Sequence, residues 1–164
     1  MSAPGCSTTD DKGLSSCFTY GSLMWPDIMA RVCGRDPLTG FAAGGCQPSW
    51  LDGHARHPVL GQDYPGLVMD HLAPPLRGVL YRGITPQEWV RLDAFEGLEY
   101  ERVQVWVRPG TQVAAREPAW AYRFRDEFVH RLGPGAWSEE AFAAEGKARF
   151  CARYIGFRQA DAPT

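Results

Sequence analysis

The sequence predicts an α+β fold with a curved mixed sheet or small barrel. Three observations carry that prediction. Short strand-like runs fill the first two thirds of the chain, one helix with complete start and stop signals interrupts them at 85–97, and a long helix-forming segment closes the chain. Strands first and a long helix last, without regular βαβ alternation, separates this pattern from a parallel α/β sheet.

Each element has a local reason. "CFTYGS" from Cys17 suits a strand that breaks at Gly21 and Ser22. "WPDIMARVCG" from Trp25 is a short helix, with Pro26 in the first turn, where its missing N–H costs nothing, and Gly34 as the stop. Residues 35–65 are rich in Gly, Pro and Trp and predict short strands and turns. "GLVMD" from Gly66 and "LRGVLYRGI" from Leu76 read as strands. "TPQEWVRLDAFEG" is the clearest helix. Thr85 caps it, Pro86 suits its first turn, Glu88 completes a Thr-x-x-Glu capping box, and Gly97 ends it. Trp89, Leu92 and Phe95 share its apolar face. "YERVQVWVRP" from Tyr100 alternates Val103, Val105 and Val107, and "PAWAYRFRD" from Pro118 is its expected partner strand. "SEEAFAAEGKARFCARYIGF" is the closing helix, started by Ser138 and stopped by Gly156. Residues 1–16 are small and polar and read as a disordered tail, as do 158–164, which leaves 17–157 as one domain.

Composition narrows the function classes. The chain of 164 residues suits one domain, and 45% hydrophobic with 22% charged residues is ordinary for a globular protein. The net charge is −2 with no run of Lys or Arg, which excludes nucleic acid or an anionic membrane as the main partner. No apolar stretch approaches the ~20 residues of a membrane span. The N-terminus has no secretory signal, so a cytoplasmic protein is expected, as a monomer or weak dimer. Cys6, Cys17, Cys33, Cys46 and Cys151 form no Cys-x-x-Cys pair and read as reduced thiols. His54 and His57 stand three apart, but "WLDGHARHPVLG" is too rich in Gly and Pro for a helix, so neither a metal nor another cofactor is expected.

Two places carry possible chemistry. Glu96 ends the 85–97 helix, where the negative end of the helix dipole disfavours a carboxylate. Asp93 is a like charge one turn back, and Phe95 beside it is a core candidate. All three features favour the neutral acid and raise its pKa, as a proton-transfer group near neutral pH requires. A solvated glutamate at a frayed helix end fits the same letters. The break at Tyr20-Gly21-Ser22 is the second place. A strand that stops there turns several backbone N–H groups in one direction, a nest for carboxylates or developing oxyanions, although a plain strand-to-helix turn reads identically. Ser22 as a nucleophile lacks the Gly-x-Ser-x-Gly elbow and a nameable His/Asp partner.

"YGSLM" from Tyr20, "YPGLV" from Tyr64, "RGVLYRGI" from Arg77, "LDAFEGLEYERV" from Leu92 and "LGPGAWSEEAF" from Leu132 occur in one order and spacing. Together they resemble the γ-glutamylcyclotransferase-like superfamily, nearest to the branch of γ-glutamylamine cyclotransferase and the plant avirulence-induced-gene-type proteins. The resemblance covers roughly residues 17–157. It implies a mixed β-barrel with flanking helices and a long C-terminal helix. It implies that Tyr20, Gly21, Ser22 and Leu23, with Met24, bind the γ-glutamyl or 5-oxoproline moiety largely through backbone amides. It implies Glu96 as the catalytic acid/base, with Tyr100 and Arg102 supporting the site. The activity implied is cyclisation of a γ-glutamyl amine or amino acid to 5-oxoproline, with release of the free amine and no cofactor. A non-catalytic binder of a small carboxylated metabolite on the same scaffold is the alternative, and an intact Glu96 counts against it.

Overall fold

The computed structural model describes residues 15–41 and 44–155. Among these residues are seven strands and a few helices. They are β1 (Ser15–Thr19), α1 (Pro26–Cys33), β2 (Cys46–Leu51), β3 (His54–Pro58), β4 (Pro65–Met69), β5 (Leu76–Ile84), α2 (Pro86–Glu96), β6 (Tyr100–Pro109) and β7 (Glu117–Phe124). A 3-10 turn spans Ser22–Met24 between β1 and α1, and a second spans Asp126–Arg131 after β7.

Five strands form one sheet in the order β1-β5-β2-β6-β7, which closes on itself. All neighbours are antiparallel except β1 and β7, which meet in parallel at Cys17 and Trp120 and complete the circuit. The alternation expected along β6 is present: Val105 and Val107 are buried while Gln104 and Trp106 are exposed. Phe18, Leu51, Leu67, Leu80, Val105, Val107, Ala119 and Ala121 pack inside the sheet. The interior is tight at Gly78, where a Cβ would meet the Phe18 ring at 2.5 Å and the Thr19 carbonyl oxygen at 2.2 Å. β3 and β4 pair separately as a two-stranded sheet.

α2 has the capping box its sequence predicts. The Glu88 amide donates to Thr85 Oγ1 at 3.1 Å, and the Thr85 amide donates to Glu88 Oε1 at 3.0 Å. Glu88 also joins α2 to the end of α1, through Arg35 Nε at 2.6 Å and Nη2 at 2.7 Å. Trp89 and Leu92 are buried and Phe95 is half-buried against the same core. α1 stops at Gly34, whose φ of 80° lies in the left-handed region.

Two expectations differ from what is observed, the start of the first strand and the form of the closing helix. The first strand, expected from Cys17, already includes Ser15 and Ser16. Ser15 is buried, and its hydroxyl accepts from Trp89 Nε1 at 2.6 Å, which ties the start of β1 to α2. The long closing helix is instead α3 (Glu139–Ala141), a π-helical stretch Phe142–Gly146, α4 (Lys147–Phe150) and a second π-helical stretch Cys151–Ile155. Ser138 does cap it, accepting from the Ala141 amide at 3.1 Å, but its expected stop at Gly156 lies outside the described residues, as do positions 1–14 of the first tail and all of the second. The "HARH" stretch is β3, a strand, so His54 and His57 sit on opposite faces and cannot share a metal. No group of three or more potential metal ligands occurs among the described residues. The described cysteines are free thiols, and no helix of the described residues is long and apolar enough to cross a membrane.

Candidate active site

The first turn after β1 and the last turn of α2 meet at one cavity. It is lined by Phe18–Leu23 from the first, by Phe95 and Glu96 from the second, by Tyr64 and Pro65 of β4's start, by Tyr100 and Tyr122 of β6 and β7, and by Phe150 and Tyr154 of the closing helical run. The space within it open to water is about 70 Å³.

Glu96 is the one charged side chain among the lining residues. Burial pushes its carboxyl up to about 8, and the Asp93 carboxylate adds to the shift. Some of its surface stays open to the cavity, so it is half-buried by exposure while protein surrounds it on its other sides. Asp93 is turned away from a bare like-charge contact. Its Oδ1 accepts from the Tyr122 hydroxyl at 2.7 Å, and Arg102 Nε lies 3.2 Å from the same oxygen. The Arg102 guanidinium in turn covers the Trp89 ring at 4.5 Å. Burial raises Tyr20, Tyr100 and Tyr122 as well, so near neutral pH these phenols act as donors and not as bases.

The phenols fix the walls. Tyr20 donates to the Tyr122 carbonyl oxygen at 2.5 Å, which locks the loop to β7. Tyr100 donates to the Pro65 carbonyl oxygen at 2.7 Å, which locks β4 to β6. Tyr81, outside the cavity, faces the Leu23 and Met24 carbonyl oxygens at 2.7 and 3.0 Å and holds the far side of the loop. In the 3-10 turn the Met24 amide bonds Gly21 O at 3.0 Å and the Trp25 amide bonds Ser22 O at 3.4 Å. The amides of Ser22 and Leu23 precede these and have no acceptor within the turn, as at any helix start. Gly21 is required by contact. A Cβ there would meet Pro65 Cδ at 2.6 Å and Cγ at 2.8 Å.

Of the expected site residues, Tyr20, Gly21, Ser22, Leu23, Glu96 and Tyr100 are brought together around this cavity. Met24 is not. It is buried on the other side of the loop, with Sδ 3.9 Å from Arg56 Nη1. Arg102 does not line the cavity either and pairs instead with Asp93. Sequence reasoning missed Tyr64, Pro65, Phe95, Tyr122, Phe150 and Tyr154 as lining residues. It also missed Arg56, whose Nη1 donates to the Tyr20 carbonyl oxygen at 2.6 Å. The "YPGLV" and "HARH" stretches were visible, but nothing local in them points toward the loop.

Comparison with known proteins bears on the family and the fold. A family model described as gamma-glutamyl cyclotransferase, AIG2-like, matches residues 17–139. AIG2-like protein A of Arabidopsis thaliana is 34% identical over 100 residues, which is 61% of this chain and 56% of that protein. AIG2-like protein D of the same plant is 34% identical over 94 residues, 57% of each chain. The chain therefore spans a little over half the length of these curated relatives. Among solved structures, the solution structure of an Arabidopsis thaliana protein superposes with a TM-score of 0.62 at 25% identity, over 96% of this chain and 99% of that one. A structure named gamma-glutamyl cyclotransferase superposes at 0.53 with 15% identity, over 80% and 97%, a likeness of fold alone. The family match runs from β1 through the Tyr20–Leu23 loop and Glu96 to the start of the closing helical run, and on that extent the chain belongs to the gamma-glutamyl cyclotransferase, AIG2-like family.

Proposed function

We propose that the protein cyclises a γ-glutamyl amine or amino acid to 5-oxoproline and releases the free amine, with Glu96 as the acid/base. The observation that supports this most is a lone carboxyl, held up at about 8, sharing a small cavity with a turn whose first amides are unused.

The substrate brings its own nucleophile, the α-amine, so the protein's main task is to fold it into an attack geometry. Glu96 takes a proton from the α-ammonium. The freed nitrogen attacks the γ-carbonyl carbon, and the C=O π pair moves onto oxygen. Collapse of that oxyanion breaks the bond to the leaving nitrogen. One of the three α-ammonium protons stays on the lactam nitrogen, and Glu96 ferries the other two to the departing amine, which leaves as an ammonium. The amides of Gly21, Ser22 and Leu23 hold oxygens of the γ-glutamyl group. One such donor to an oxyanion is worth about 3 kcal/mol of barrier.

A screen of γ-glutamyl compounds tests the reading. It expects 5-oxoproline and free amine from at least one of them, whereas tight binding without turnover would favour the non-catalytic alternative. Three outcomes follow for an active substrate. First, kcat/KM rises with pH toward about 8, where Glu96 becomes a carboxylate, and declines once the substrate amine has also lost its proton. A flat profile between pH 6 and 9 counts against Glu96 as the base. Second, Gly21→Val lowers both turnover and 5-oxoproline affinity by about 10-fold or more, because its side chain displaces Pro65 from the cavity wall. Ser22→Ala stays within about 3-fold, since the backbone and not the hydroxyl is the donor. Loss of turnover in Ser22→Ala with the loop intact would instead point to a serine nucleophile. Third, activity survives chelators and alkylation of the native protein. Loss with a chelator and recovery with one specific metal would reveal a metal site.

A further inference from the structure

Resting on the reaction proposed above, we infer that the leaving-group half of the cavity selects an amine that carries an aromatic or apolar substituent and no carboxylate. The juxtaposition that carries this is a cluster of rings facing the loop and Glu96. Tyr64, Phe95, Phe150 and Tyr154 all line the cavity, and Tyr64 and Phe95 each contact the rings of both Phe150 and Tyr154. Tyr64 lies 6.5 Å from Phe150 and 5.9 Å from Tyr154, and Phe95 lies 6.0 Å and 6.4 Å from the same two. Most of these contacts are edge-to-face, which leaves ring faces and edges for a further ring to join. Tyr64, Phe95 and Tyr154 are only half-buried, so the cluster is open on the cavity side.

Charge separates this substituent from others. No Lys, Arg or His lines the cavity among the described residues. The cations around its rim are already engaged. Arg131, whose charge reaches Tyr64, donates to Glu99 at 2.8 Å. Arg149 and Arg153, which flank Phe150 and Tyr154 on the helical run, donate to Asp63 at 2.9 Å and to Gln62 at 2.8 Å. The Tyr154 hydroxyl also donates to Gln62, at 3.1 Å, which holds its ring in place. Among the described residues the backbone amides of the loop are the anion-binding feature of the cavity, and the γ-glutamyl group uses them. A second carboxylate, on a leaving amino acid, would sit against rings and near Glu96 with no cationic partner among the described lining residues, which is costly.

The test compares γ-glutamylphenethylamide, γ-glutamylphenylalanine and γ-glutamylethylamide as substrates of the full chain. The first two differ by one carboxylate, and the first and third by a ring. The phenethylamide is expected to exceed γ-glutamylphenylalanine in kcat/KM by about 10-fold or more and the ethylamide by about 3-fold or more. Tyr154→Leu and Phe95→Leu are expected to compress the phenethylamide-to-ethylamide ratio, a readout that a general loss of stability would not move. Equal or better use of γ-glutamylphenylalanine, or a ratio unmoved in both variants, overturns the inference while leaving the proposed reaction intact. If none of the three turns over, the reaction fails and calorimetry decides the inference alone: tighter binding of the phenethylamide than of γ-glutamylphenylalanine supports it, and equal or weaker binding overturns it.

Discussion

Replacing Glu96 with glutamine is expected to lower turnover by about 100-fold or more while the fold is retained. Glutamine preserves the shape of the side chain and its capacity for hydrogen bonds, so what is lost is the proton. The lining offers no substitute. Burial keeps the phenols of Tyr20, Tyr100 and Tyr122 protonated near neutral pH, and no histidine or second carboxylate lines the space among the described residues. Asp93 is one turn away but is held by Tyr122 and Arg102. A variant within a few-fold of wild type would remove Glu96 from the chemistry, and circular dichroism on the same sample separates that from unfolding.

The same substitution is expected to stabilise the protein, and the gain should depend on pH. The Glu96 carboxyl is held at about 8 in the fold against an ordinary value of 4.5. Between those values the unfolded chain has released a proton that the folded protein keeps. Wild-type stability therefore falls as pH rises from about 4.5 through about 8 and levels off above. Glutamine has no such linkage. Glu96→Gln and wild type should melt together near pH 4, and the variant should melt several degrees higher at pH 9, roughly 1–3 kcal/mol once the open face of the cavity is allowed for. A gain of equal size at pH 4 and 9, or none at pH 9, would show that the carboxyl is not held neutral by the fold. Taken with the loss of turnover, this result would mark a residue kept for chemistry at a cost in stability.

What was legible in the sequence was local. The Thr85–Glu88 capping box, the Gly34 stop and the alternation of β6 each lie within a few residues and were read correctly. The odd placement of Glu96 was equally local, because a carboxylate at a helix C-terminus beside Asp93 is visible in the letters alone. Burial, the larger cause of its raised pKa, was not, since it comes from rings contributed by β4, β6, β7 and the closing helical run. Gly21 shows the same divide. The break in the strand was plain, but the need for glycine comes from Pro65, which is brought there by the separate β3–β4 sheet. Met24 belongs to the "YGSLM" motif and still falls outside the cavity, because the 3-10 turn rotates it toward Arg56. The closing segment carries good helix signals, yet its π-helical stretches depend on packing against the core through Phe142 and Phe150 and have no local signature.

Product analysis in heavy-oxygen water tests the central claim most directly. Intramolecular attack by the α-amine retains the original carbonyl oxygen, so the account predicts unlabelled 5-oxoproline and one free amine per ring formed, both lost in Glu96→Gln. Glutamate carrying a solvent oxygen in its γ-carboxyl would mean that water and not the α-amine is the nucleophile, and would contradict it.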